Sequence, residues 1–241
     1  MSVKAKKHLG QHFLTDESIA QQIADSLVGS NYKKVLEIGP GMGVLTKYLL
    51  EKPYETFVVE IDTESVAYLQ AHYLKLANNI FLLDFLRHDW QTAFKEEQFA
   101  IIGNFPYNIS TQIVFRVLDW KEQVPVMIGM FQKEVAERIA AKPHSKAYGI
   151  LSVLTQAFYE VDYLFDVPPT AFTPPPNVMS GVIRLKRKTT FPEFSSIKSF
   201  YHIVKMAFGQ RRKMLRNPLK PYFTTEQLQD PIFTKRAENL T

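Results

Sequence analysis

The chain has 241 residues, 46% hydrophobic and 22% charged, which excludes a disordered or fibrous protein and leaves a core large enough to fold without covalent staples. Cysteine is absent, and with it disulfide scaffolds, Cys-ligated zinc, iron–sulfur clusters and thiol nucleophiles. The net charge of +5 is uneven, with 13 Lys and Arg against 4 Asp and Glu in residues 183–241 and three lysines without an acid in residues 1–14, and no apolar run approaches the roughly 18 residues of a membrane span.

In chain order the apolar pattern switches repeatedly between strand and helix spacing, with no internal repeat. Ile19, Ile23, Ala24 and Leu27 recur on one helical face behind Asp16, a capping residue, which predicts a helix over residues 17–28. Residues 34–38 form a short strand that runs into Gly39-Pro40-Gly41-Met42-Gly43, followed by a helix over 45–52. A strand over 56–61, a helix over 64–76 and strands over 80–83 and 99–103 come next. Residues 124–130 read as a strand, 133–141 and 147–158 as helices, and 160–167 and 178–186 as extended. Between the last two, residues 168–176 hold five of the 14 prolines and form a stiff loop, not a helix. The alternation predicts an α/β fold, a mostly parallel Rossmann-like sheet with helices on both faces. After about residue 188 the pattern turns helical and basic. Two domains are therefore expected, 1–187 and a small mainly helical one over 188–241.

Three signals fall at the carboxyl ends of predicted strands. The Gly39-x-Gly41-x-Gly43 turn lets backbone amides approach a ligand, because a Cβ would block that approach and the turn needs unusual backbone angles. Glu60 ends the second strand 21 residues after Gly39, where a carboxylate can accept from ribose hydroxyls. Glu37 precedes the turn and can face a ligand ammonium. Asp84 follows the third strand, placed to accept from an adenine amino group. Val44 stands where a dinucleotide fingerprint wants glycine or alanine, which weighs against a nicotinamide dehydrogenase.

Asn104-Phe105-Pro106-Tyr107 follows the fourth strand directly. This set suits alkylation of an exocyclic amine on a base. The Asn104 side-chain oxygen and the Phe105 carbonyl would accept from the amino hydrogens, and Tyr107 would stack on the unstacked base. Arg211, Arg212, Lys213 and Arg216, beside Lys205 and Phe208, suit phosphate contacts, and clustered positive charge on a mildly acidic body points to a polyanion. The basic, polar N-terminus has no apolar core of a secretory signal, so a cytoplasmic setting is expected. The six histidines show no paired metal-ligand spacing, and no metal is expected.

Gln11-His12-Phe13-Leu14, Glu37-Ile38-Gly39-Pro40-Gly41-Met42-Gly43, Asn104-Phe105-Pro106-Tyr107-Asn108-Ile109-Ser110, and the run from Pro168 to Val178 together resemble the KsgA/RsmA family of small-subunit ribosomal RNA adenine dimethyltransferases. Lys146-Ala147-Tyr148-Gly149 and Gln210 to Asn217 match the family as well. The resemblance implies S-adenosyl-L-methionine as methyl donor and 16S rRNA of the 30S subunit as partner, taken by a monomer without a membrane. It implies that His12 and Leu14 close over the donor, with Gly39 beside its amino-acid part, Glu60 at its ribose, Asp84 at its adenine and Asn104 at the junction with the target base. Tyr107 and Phe172 look like the pair that holds the target adenine from its two faces. His12 stands where many members have Asn, and Phe105 where Leu or Ile is usual. The family usually continues for another helix beyond Leu240, so a shortened C-terminal domain is expected. Two other readings remain open from sequence, a large-subunit rRNA adenine methyltransferase of the macrolide-resistance type and a non-catalytic ribosome-assembly or RNA-binding factor.

Overall fold

The computed structural model describes residues 3–29, 31–76 and 78–240. Two compact units result, one running up to Ala136 and resuming over Glu160–Arg187, the other made of Glu137–Tyr159 and the chain from Lys188 onward. The crossover near residue 188 thus falls where the composition changes, but the hairpin of residues 137–159 groups with the C-terminal segment instead of the sheet. Among the described residues no helix is long and apolar enough to cross a membrane.

The first unit opens with a two-residue strand, β1 (Phe13–Leu14), and α1 (Glu17–Asp25). It then alternates through β2 (Lys34–Ile38), α2 (Thr46–Leu49), β3 (Glu55–Glu60), α3 (Thr63–His72), β4 (Ile80–Leu82), α4 (Trp90–Ala93), β5 (Phe99–Asn104), α5 (Ser110–Asp119) and β6 (Val126–Gln132). α6 (Lys133–Ala140) and α7 (Ile150–Gln156) follow, then β7 (Tyr159–Val167), β8 (Phe172–Thr173) and β9 (Ser180–Arg187). α8 (Ile197–Gly209) and α9 (Arg216–Leu219) come last and, with α7, belong to the second unit.

The main sheet has the order β4-β3-β2-β5-β6-β9-β7. Strands β4, β3, β2, β5 and β6 are parallel, while β9 runs antiparallel to β6 from Val126↔Lys186 to Gln132↔Ser180. The central strands are apolar on both faces because helices cover both. Val35, Leu36 and Ile38 of β2, Ala100 to Ile102 of β5 and Met127, Ile128 and Met130 of β6 are all buried. Each such aliphatic side chain contributes about 1.5–3 kcal/mol relative to leaving it in water. Ile23 and Ala24 of α1 and Leu45 and Leu49 around α2 close one face of this core.

Several boundaries follow from local chemistry. Asp16 caps α1 as its position predicts, its carboxylate accepting from Ser18 N at 3.0 Å and Ile19 N at 3.2 Å. α1 stops at Asp25, three residues before the predicted end, where Ser26 Oγ bonds back to the Gln22 carbonyl at 2.8 Å. α5 lies where no helix was predicted, although Ile113, Val114, Val117 and Leu118 are spaced for one and are all buried. The proline-rich loop holds a single 3₁₀ turn at Pro169–Ala171 and then β8, which pairs antiparallel with β1 through Phe13↔Thr173 and Leu14↔Phe172. In the second unit, Ala207, Leu215, Leu219, Phe233 and Ala237 form a separate small core.

Candidate active site

The sheet order reverses between β2 and β5, and ligands of open α/β sheets bind outside the strand ends at such a point. A cavity of about 290 Å³ lies there, walled by the loops after β2 and β5, the end of β3 and residues 9–15. It gathers His12, Leu14, Glu37, Gly39, Gly41, Glu60, Asn104, Phe105 and Tyr107 of the expected site.

The glycine turn is built for close approach. Gly39, Gly41 and Gly43 have φ of +67°, +56° and +81°, the left-handed region that L side chains rarely adopt. A Cβ on Gly41 would also lie 2.8 Å from two ring carbons of Phe13, so only glycine lets that ring sit over the turn.

Glu60 is fixed by backbone amides. One oxygen accepts from Ile61 N at 2.8 Å and Asp62 N at 2.9 Å, the other from Gly41 N at 3.2 Å. Those bonds occupy three of the roughly four lone-pair sites of a carboxylate and leave one for a ligand hydroxyl. Burial nevertheless pushes the Glu60 carboxyl above the usual range. Glu37 lies deeper. Thr46 Oγ1 donates to its Oε2 at 2.6 Å, and burial, opposed by that hydroxyl and assisted by the Glu60 charge, pushes it up to about 8. A cation brought beside Glu37 would recover the cost of ionising it.

Asn104 ends β5, and its Nδ2 donates to the His12 carbonyl at 2.9 Å. That bond commits the amide nitrogen to the N-terminal segment and leaves the side-chain oxygen as the acceptor. Phe105 is buried against Phe131, edge to face at 5.3 Å. Two glycines accommodate its ring, since a Cβ on Gly129 would come within 2.4 Å of it and one on Gly103 within 2.9 Å. The two glycines therefore make room for the aromatic ring at this position. The Tyr107 hydroxyl shares a hydrogen bond of 2.6 Å with Ser180 Oγ, and burial raises the phenol.

The segment before β1 is strapped down. Lys6 pairs with Asp62 and, at 3.1 Å, with Glu64, and Gln11 Nε2 donates to Asp62 at 3.3 Å. Thr15 donates through both N and Oγ1 to the Ala171 carbonyl, at 2.8 and 3.0 Å. These contacts, with the β1–β8 pairing, place His12 and Leu14 against the cavity.

Some expected residues stand apart. Asp84 follows β4 at the same edge but does not line the cavity; its Oδ1 accepts from Leu86 N at 3.0 Å and its Oδ2 faces Arg87 Nε at 3.3 Å. Phe172 is 3% exposed and packed in the core. In the second unit, all three nitrogens of Arg211 are engaged, with Glu238 at 2.6 Å and the carbonyls of Lys146 and Ser145 at 2.7 and 3.0 Å. Arg212, Lys213 and Arg216 are exposed around the turn between α8 and α9. Sequence reasoning missed Thr46, Ser180 and Ile61. Ile61, 53% exposed just beyond Glu60 and lining the cavity, reads in the sequence only as the last apolar residue of its strand.

The family pattern described as "Ribosomal RNA adenine dimethylase" matches residues 2–241. A ribosomal RNA small subunit methyltransferase A from Flavobacterium johnsoniae is 59% identical over 240 residues, 99% of this chain and 92% of that one. A solved dimethyladenosine transferase from Plasmodium falciparum has a similar fold, with a TM-score of 0.80 at 24% identity over 95% of this chain and 93% of that one. The 23S rRNA methyltransferase ErmE is similar in fold as well, with a TM-score of 0.73 at 24% identity over 94% and 96%.

Proposed function

Since the chain belongs to the ribosomal RNA adenine dimethylase family, we propose that it transfers two methyl groups from S-adenosyl-L-methionine to the N6 amino group of adenines in small-subunit rRNA. The observation that carries this reading is the meeting of Asn104 and Tyr107 with Glu37 and Glu60 around one cavity at the sheet's switch point. The cavity's donor set fits a sulfonium nucleoside with an amino-acid tail. Glu60 keeps one lone pair for a ribose hydroxyl, Glu37 offers a buried carboxyl to a positive group, and the left-handed glycine turn lets a ligand approach the backbone closely. We assign the His12 backbone, Leu14, Gly39 and Gly41 to the same donor site, and Asp84 to the adenine end of it.

When bound, S-adenosylmethionine supplies an electrophilic methyl group. The chain's own residues supply placement. An adenine amino nitrogen is a weak nucleophile because its lone pair is delocalised into the ring. The Asn104 oxygen and the Phe105 carbonyl accept from the amino hydrogens and favour a pyramidal, more nucleophilic nitrogen. Tyr107 stacks on the base, an interaction worth about 1–3 kcal/mol. Phe13 and Leu14 keep water from the reacting atoms. Methylation makes the amine acidic, and its proton leaves to solvent without a strong base. Arg212, Lys213 and Arg216 add salt-dependent phosphate contacts.

We infer that the substrate is 16S rRNA in the 30S subunit, taken by a monomer in the cytoplasm. Labelled methyl transfer to unmethylated 30S subunits, with digestion and mass analysis of the nucleosides, tests this. Dimethyladenosine in 16S rRNA is the expected product. Transfer to a 23S-derived substrate instead would place the chain with the large-subunit enzymes, and donor binding without transfer would indicate an assembly role.

A further inference from the structure

One face of the Tyr107 ring is already covered by a ring of the same chain. The His12 imidazole lies with its centroid 5.7 Å from that of Tyr107 and its plane 28° from parallel. The two rings are held differently. Tyr107 is anchored through its hydroxyl to Ser180, which is fully buried at the start of β9. His12 is half-buried, and its ring is tied only through Nδ1 to the Pro174 carbonyl at 2.8 Å. Its backbone is held separately, by Asn104 Nδ2 on its carbonyl at 2.9 Å, so the ring can turn away without breaking that contact. Phe172, the other ring expected at the target base, is 3% exposed. A purine arriving at that face of Tyr107 therefore meets an imidazole.

We propose that His12 is a positioning residue that fills the target-base slot, its imidazole stacked on Tyr107 in the free protein and exchanged for the incoming purine. This rests on the adenine methylation proposed above. The exchange has a physical basis. Both groups present flat π faces, but a purine covers more of the phenol and gains more from stacking. The occupied slot keeps the tyrosine face out of water until a better stacker arrives. It also sets a threshold, because each base must repay the lost imidazole stack before it is held. Pyrimidines, with the smaller face, repay less.

The sign of the consequence separates this role from a structural one. Loss of a merely structural ring would weaken base capture, whereas loss of a placeholder strengthens it. Single-stranded RNA with 2-aminopurine at the target position reports stacking on Tyr107 as quenched fluorescence. Relative to the wild-type chain, His12→Asn and His12→Ala are expected to hold the probe more tightly by roughly twofold to tenfold, the range that one aromatic stack supplies. The KM for RNA falls accordingly, and kcat changes less. Tyr107→Ala removes the quench in either background. A second measurement does not depend on methyl transfer. In the ligand-free protein, nuclear Overhauser contacts are expected between the His12 and Tyr107 rings, and an adenine-containing oligonucleotide abolishes them. Weaker probe binding in both His12 variants, or ring contacts that persist with the oligonucleotide bound, would overturn the proposal. A chain that exchanges its rings yet methylates no RNA would overturn the proposed activity and leave the placeholder standing.

Discussion

The Glu37 carboxyl, buried at the floor of the cavity, accepts the Thr46 hydroxyl at 2.6 Å, and this pair sets how the protein responds to pH. Glu37 titrates near 4.5 in an unfolded chain and near 8 in the fold, because burial penalises its charge. Between those values the folded state holds the extra proton, so stability falls as pH rises. One group accounts for at most about 1.4 kcal/mol per pH unit. Glu37→Gln is expected to remove this slope. Urea unfolding at pH 5 and pH 8 checks it, and parallel losses in wild type and variant would show that Glu37 is already ionised in the fold.

Asn104→Ala separates donor binding from transfer. In the proposed reaction the side-chain oxygen accepts from the target amine, while the nitrogen donates to the His12 carbonyl. Methyl transfer should fall by about 10²–10³, as for loss of one positioned hydrogen-bonding group. Donor affinity, measured by calorimetry, should fall less than tenfold through loosening of the N-terminal strap. Equal losses in both would assign Asn104 to the donor site alone.

Gly129→Ala places a methyl within 2.4 Å of the Phe105 ring and 2.5 Å of the Phe131 ring. Overpacking of this kind costs about 1–3 kcal/mol, and here it also displaces a residue of the site. Phe105→Leu frees the space, so Gly129→Ala should cost less in that background. A double-mutant cycle on unfolding free energies measures the difference, and additive costs would mean that the two positions do not compete.

The basic cluster should split by role. Arg211→Ala breaks the contacts to Glu238, Lys146 and Ser145 and should lower stability by roughly 1–3 kcal/mol. Arg212→Gln, Lys213→Gln and Arg216→Gln should leave the melting temperature unchanged and weaken RNA binding. The slope of log affinity against log salt should flatten by about 0.7 for each charge removed from a single-stranded contact. An unchanged slope in the triple variant would remove these residues from the RNA interface.

The glycine turn, Glu60 and the Asn104 loop were legible in the sequence because each sits where a strand ends and needs a residue type that a surface turn does not. The strands β2, β3 and β5 were legible because their faces are both buried and their apolar runs continuous. Periodicity shows that a face is buried but not what buries it. The pairing of β1 with β8, the insertion of β9 between β6 and β7 and the placement of residues 137–159 were therefore invisible. Charge composition marked Arg211 with its neighbours, yet its contacts to Glu238 and to the carbonyls of Ser145 and Lys146 distinguish it from them. Phe172 was singled out for its place in a motif, and its burial depends on strands brought together from distant parts of the chain.

The pairing of Phe13 with Thr173 joins positions about 160 residues apart in the chain. A two-strand ribbon that closes so long a loop has few contacts with which to offset the closure entropy before the sheet exists. The strap that walls the cavity should accordingly form last in folding and open first in native-state hydrogen exchange. During synthesis the sheet's parallel strands can assemble while the N-terminus waits for residue 173. The protein thus becomes competent to bind its ligand in one late step, which guards against capture by a half-made site.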